Sequence, residues 1–114
     1  MKIKEIQDIL EAKILCGAHL LDTDVTHACA ADLMSDVLAY DHSSSVLLTG
    51  LCNPQVVRTA EMLDIRCLVF VRNKAPDEQT LELAKSKDIV VMTTYHMMFS
   101  SCGLLYQNGM RGGA

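Results

Sequence analysis

Val46-Leu47-Leu48-Thr49, Cys67-Leu68-Val69-Phe70-Val71 and Ile89-Val90-Val91-Met92-Thr93 are strand-like apolar runs that recur about every 22 residues. Each is followed by a segment of helical periodicity that opens with turn residues. Consecutive β-α-β units produce this alternation. A strand that returns to its sheet through a helix runs parallel to its predecessor, so the carboxyl ends of the three runs share one sheet edge. The fold expected is α/β: a single three-layer domain with a mostly parallel sheet flanked by helices. In such sheets small molecules bind beyond the carboxyl ends of the strands.

Between these runs the local chemistry specifies helices. Asn53-Pro54 places a capping side chain before a proline in the first helical position, and the helix that follows turns Val56, Val57, Ala60 and Leu63 inward. Pro76-Asp77-Glu78 opens another helix with acids where the dipole favours them, and Lys85 and Lys87 lie near its end. A last helix, near Tyr95 to Gln107, carries Met97, Met98, Cys102 and Leu105 on one face and stops at Asn108-Gly109.

Upstream, Ile3, Ile6, Ile9 and Leu10 form one face of an amino-terminal helix. Ala12 to Cys16 reads as a strand ending at Gly17, and Val25 to Ala30 as another, joined through Asp22-Thr23-Asp24. Asp32 is placed to cap a helix that faces Leu33, Val37 and Leu38 inward, and the loop Asp41-His42-Ser43-Ser44-Ser45 follows it. Residues 1–109 form the domain on this reading, with 110–114 a flexible carboxyl-terminal tail.

The chain has 114 residues, enough for one core and too few for two. Half of the residues are hydrophobic, yet there are only three Tyr, two Phe and no Trp, so aliphatic side chains and Met must build the interior. That much apolar surface on a small chain predicts a homodimer, with Met92, Met97, Met98 and Met110 candidates for its seam. A net charge of −4 and the absence of any Lys/Arg run argue against nucleic acid. No apolar run reaches membrane-spanning length, and Met1-Lys2-Ile3-Lys4-Glu5-Ile6 is charged where a signal peptide is apolar, which places the protein in the cytoplasm with no membrane partner. Five cysteines, widely spaced and with no CxxC, read as reduced thiols.

Chemistry-bearing residues are few. Thr49, Gly50, Cys52 and Asn53 form a strand-to-helix turn whose N–H groups suit a phosphate or carboxylate, against the plain alternative of turn and cap chemistry. Arg72, Asn73 and Lys74 follow the second run, and Thr93, Thr94 and His96 the third, which gathers cations and hydroxyls at one edge for an anionic ligand. His27 and Cys29 alternate on a strand, but two ligands do not make a metal site. Cys52, near a helix start, is placed for a lowered pKa. The pairs Asp22/Asp24 and Asp77/Glu78 sit in turns and first turns, where solvated structural roles suffice. No nucleophile stands beside a general base, so no catalytic residues, metal or cofactor are assigned.

Taken as a series, the opening Met1 to Ile6, Ala31-Asp32-Leu33-Met34-Ser35-Asp36-Val37-Leu38, Leu47-Leu48-Thr49-Gly50 with Asn53, Lys74-Ala75-Pro76-Asp77 and Thr93-Thr94 resemble the DRTGG domain family, which is similar to the amino-terminal domain of HPr kinase/phosphorylase. The likeness runs from Lys2 to Gly109. It implies an α/β domain without the kinase's P-loop, used as a regulatory or assembly module attached to phosphotransacetylases or lodged between CBS domains in pyrophosphatases. Free-standing copies in anaerobes are often encoded near iron-only hydrogenase and iron–sulfur genes. The Asp-Arg-Thr-Gly-Gly string itself is absent, and Val71-Arg72-Asn73-Lys74 takes a comparable loop position.

The function expected is therefore non-enzymatic: a homodimeric regulatory or ligand-sensing module for a nucleotide or other anionic metabolite, with Thr49, Gly50, Asn53, Arg72, Lys74, Thr93 and Thr94 as candidate ligand residues. The alternatives are an interaction scaffold for a partner enzyme and a thiol or iron–sulfur-associated protein of an anaerobic redox system.

Overall fold

A computed structural model describes residues 1–40 and 42–113. Asp41, assigned above to a loop, and Ala114, assigned to the tail, lie outside the described residues. In chain order the elements are α1 (Ile3–Leu10), β1 (Lys13–Cys16), a 3₁₀ turn (Ala18–Leu20), β2 (His27–Ala30), α2 (Met34–Leu38), β3 (Ser45–Thr49), α3 (Pro54–Met62), β4 (Cys67–Phe70), α4 (Glu78–Ser86), β5 (Val90–Thr93) and α5 (Met98–Gln107).

One five-stranded sheet runs in the order β1-β5-β4-β3-β2. β2, β3, β4 and β5 are parallel, in a register that pairs Val46 with Cys67 and Cys67 with Val90, while β1 is antiparallel to β5. Because β2 to β5 are spatially consecutive and right-handed crossovers all turn the same way, α2, α3 and α4 fall on one face. The other face is left for α1 and α5. Three layers result.

The strands alternate between these two faces, and both are buried. Val46, Leu48, Cys67, Val69, Val90 and Met92 pack with Ile3, Ile6, Leu10 and Leu105. Leu47, Leu68, Phe70 and Val91 pack with Met34, Val37, Val56, Val57, Ala60 and Ala84. Phe70 and the buried Leu and Ile side chains each contribute about 1.5–3 kcal/mol by leaving water.

The local capping rules hold at α3 and α4. Asn53 accepts the Gln55 N–H, with Pro54 at the first helical position, and Asp77 accepts the Thr80 N–H. At α2 they do not. Leu33, not Asp32, occupies the cap position and makes no side-chain bond. Leu33 and Leu38 are 61% and 41% exposed, and the inward positions belong to Met34 and Val37. The Asp32 side chain accepts instead from the next loop, and α2, without a side-chain cap, is five residues long.

Met110 is buried, and the Ala28 N–H donates to the Arg111 carbonyl at 3.0 Å. Residues 110–113 therefore lie along the free edge of β2, where Gly112 pairs with Ala28. No helix among the described residues is long and apolar enough to cross a membrane.

Candidate functional site

At the carboxyl edge of the parallel strands, four loops are tied to one another. The Asp32 carboxylate, from the loop after β2, accepts the Gly50 N–H at 2.7 Å and the Thr49 hydroxyl at 3.2 Å. The Leu51 N–H in turn donates to Thr49 Oγ1 at 3.1 Å. After β4, Arg72 and Asn73 take consecutive left-handed conformations, φ 60° and 58°. Such a conformation costs about 1–2 kcal/mol for an L-residue, so something must hold it. The Arg72 N–H donates to the His96 carbonyl at 2.9 Å and the Asn73 N–H to the Thr94 carbonyl at 2.7 Å, which clamps this turn to the loop after β5.

The clamp directs the Arg72 side chain across Gly50. A Cβ on Gly50 would come within 2.7 Å of Arg72 Nη2, so glycine there leaves room for the guanidinium. Neither Arg72 nor Lys74 enters an ion pair among the described residues, and both are exposed. Cys52 lies in the field of both: Lys74 and Arg72 pull its pKa down. Burial outweighs them and raises the thiol above its ordinary value, the reverse of what a position near a helix start suggests.

Of the seven candidate residues, Gly50 and Arg72 meet directly, with Thr49 beneath them. Thr49 is fully buried, its hydroxyl spent on Asp32 and Leu51. Lys74 and Thr93 touch through the backbone, Thr93 Oγ1 donating to the Lys74 carbonyl at 2.5 Å. Asn53 caps α3. Thr94 is buried and turned toward the opposite layer, where its hydroxyl donates to the Leu10 carbonyl at 2.7 Å. The consecutive order of β2 to β5 gives this edge no reversal of strand order, and hence no crevice of the kind that such a reversal opens. A cavity of 140 Å³ lies elsewhere, between β2, α5 and the 110–112 segment.

Two groups escaped the reading of the sequence. Asp32 organises the site although its position suggested only a cap. Cys29 Sγ lies 3.8 Å from His42 Nε2, a thiol–imidazole pair formed across a loop, and burial raises the Cys29 pKa. Among the described residues no three of His, Cys, Asp and Glu come together as metal ligands, and the five cysteines are free thiols.

No curated protein matches the chain. Among solved structures it is similar to the CBS and DRTGG domains of the regulatory region of Clostridium perfringens pyrophosphatase, complexed with the activator diadenosine tetraphosphate. The TM-score is 0.70 at 18% identity, over 93% of this chain and 46% of that one, so this chain spans less than half of that length. The likeness shows a shared fold. The family profile of the DRTGG domain matches residues 5–107, and with nearly the whole length covered the chain belongs to the DRTGG domain family.

Proposed function

We propose that this chain is a non-enzymatic regulatory module of the cytoplasm that forms a homodimer and senses an anionic metabolite, a nucleotide in the first instance, at the carboxyl edge of its parallel strands. The observation that carries this reading is the Arg72 guanidinium lying over Gly50, exposed and without an ion-pair partner among the described residues, with Lys74 close by in the same loop. A guanidinium fork suits phosphate oxygens, and an ammonium adds a second point charge. Backbone bonds fix the loop that presents both cations, so little ordering accompanies binding. The bound activator of the Clostridium perfringens regulatory region is consistent with a nucleotide as ligand.

Thermal unfolding with AMP, ADP, ATP and diadenosine tetraphosphate tests it, since a ligand that binds only the folded chain stabilises it, by about 2.7 kcal/mol at 100 times Kd. The expected result is a rise in Tm with at least one nucleotide that the double variant Arg72→Ala/Lys74→Ala abolishes while keeping the unliganded Tm. No shift in the wild type, or an undiminished shift in the variant, overturns the assignment of the site.

A second reading, a scaffold for a partner enzyme, is favoured by the exposed apolar side chains of the α5 region. Met97 and Phe99 are 59% and 89% exposed.

A further inference from the structure

No Asp, Glu, Lys or Arg occurs between Ile89 and Met110, so α5 presents an uncharged face to solvent as well as to the core. On that outer face Phe99 stands almost free of the chain. One helical turn further on is Gly103, where an added Cβ would meet nothing within 4 Å. A glycine inside a helix lowers its stability, and here no neighbour among the described residues requires one.

Beside Gly103 lies an open hollow of 420 Å³ lined by His96, Phe99, Ser100, Gly103, Leu104 and Gln107. Ser100, Gly103, Leu104 and Gln107 stand at the i, i+3, i+4 and i+7 positions that form the hole for a knob from a facing helix. The helix thus carries a protruding aromatic ring at the rim of a shallow, open hollow centred on Gly103.

We propose that α5 pairs antiparallel with α5 of a second copy of this chain, each Phe99 entering the hollow at Gly103 of the other. This rests on the dimer in the proposed function and names its seam. A two-fold axis crossing the helix pair at the level of Ser101 brings position 99 of one copy opposite position 103 of the other, and the same axis completes the second half. The contact is isologous and closes on itself. An uncharged face meets its own copy without like-charge repulsion, and the antiparallel arrangement sets the amino end of each helix dipole beside the carboxyl end of the other. Tyr95, Met97 and Tyr106, all exposed, surround the centre, and charge enters only at this rim, where Tyr95 donates to the Glu11 carboxylate and Arg111 lies over the Tyr106 ring.

Sedimentation velocity over a range of concentrations tests the pairing. The wild type is expected at twice the chain mass, and Phe99→Glu and Gly103→Lys each at the chain mass, with circular dichroism close to wild type because neither position is packed against the described residues. A mixture of Phe99→Glu with Gly103→Lys is expected to regain the doubled mass. One half of its seam sets the introduced carboxylate of one variant against the introduced ammonium of the other, and the second half keeps Phe99 against Gly103. A wild-type dimer that survives both single substitutions overturns this seam and leaves the dimer standing. A wild type that stays at the chain mass throughout overturns both, and a mixture that stays monomeric overturns the stated register.

Discussion

The Asp32 carboxylate and the buried Gly50 N–H meet at 2.7 Å, across two loops that the chain separates by 18 residues. This bond joins the ends of β2 and β3 and sets the floor over which Arg72 lies. Without it the Gly50 amide is a buried donor with no acceptor, which costs about 1–3 kcal/mol. Asp32→Ala is therefore expected to lower stability by about that amount in urea unfolding, whereas Asp32→Asn keeps an acceptor and loses less. Equal losses for the two variants would show that charge, not the bond, is what the site requires.

Thr94, a candidate ligand residue, has its hydroxyl committed to the fold. Its hydroxyl donates to the carbonyl of Leu10 at the end of α1, one of the helix-terminal acceptors that lack a partner within the helix. Thr94→Val preserves shape but removes both the donor to the Leu10 carbonyl and the acceptor of the His96 N–H, leaving unsatisfied groups at a cost of about 1–3 kcal/mol. Its expected signature is a lower Tm with the nucleotide-induced shift intact. Loss of the shift in Thr94→Val, at temperatures where the variant is folded, would return this residue to the binding site.

Much of the architecture is legible in the sequence, and the reasons are local. β3, β4 and β5 are continuous apolar strands because both of their faces are covered, and Asn53 and Asp77 announce helix starts through bonds that span two or three residues. What could not be read depends on partners distant in the chain. Asp32 obeys a tertiary donor in preference to the cap position beside it, and Met34 and Val37, not Leu33 and Leu38, face the core. The direction of β1 is set by β5, which the chain reaches last. Cys29 and His42, and Arg72 and Gly50, meet only once the sheet is assembled, and no spacing in the sequence encodes either encounter.

Gly17 marks the point where the chain leaves the antiparallel edge strand, and its φ of 86° is one that L side chains rarely adopt. A Cβ there would also come within 2.8 Å of the Val90 Cα, an atom of the backbone that cannot swing aside. The pairing of β1 with β5 is already irregular between Ile14 and Cys16, so the strand has little regular ladder left to absorb a shift. Gly17→Ala is expected to destabilise by about 1–3 kcal/mol, as other insertions into packed space do, read as a lower midpoint in urea at unchanged slope. A neutral result would mean that the edge strand is held less tightly than its pairing with β5 implies.

The cysteines yield a pH dependence with a definite sign. Burial is the first cause raising the pKa of Cys16, Cys29, Cys52, Cys67 and Cys102 alike, so near neutral pH the folded chain holds its thiols protonated, and the thiolate that reacts is scarce. Alkylation by iodoacetamide is thus expected to be slower than for an exposed thiol at pH 7 and to accelerate as pH rises above the ordinary cysteine range. Cys67, fully buried between the helical layers, is shifted furthest and should be labelled only through unfolding. Cys52 has Lys74 and Arg72 opposing its shift, so Arg72→Ala/Lys74→Ala should slow its labelling further and leave Cys16 unchanged. Residue-resolved mass spectrometry of partly alkylated protein measures each rate, and Cys52 labelling that ignores the removal of both cations would place its thiol out of their field.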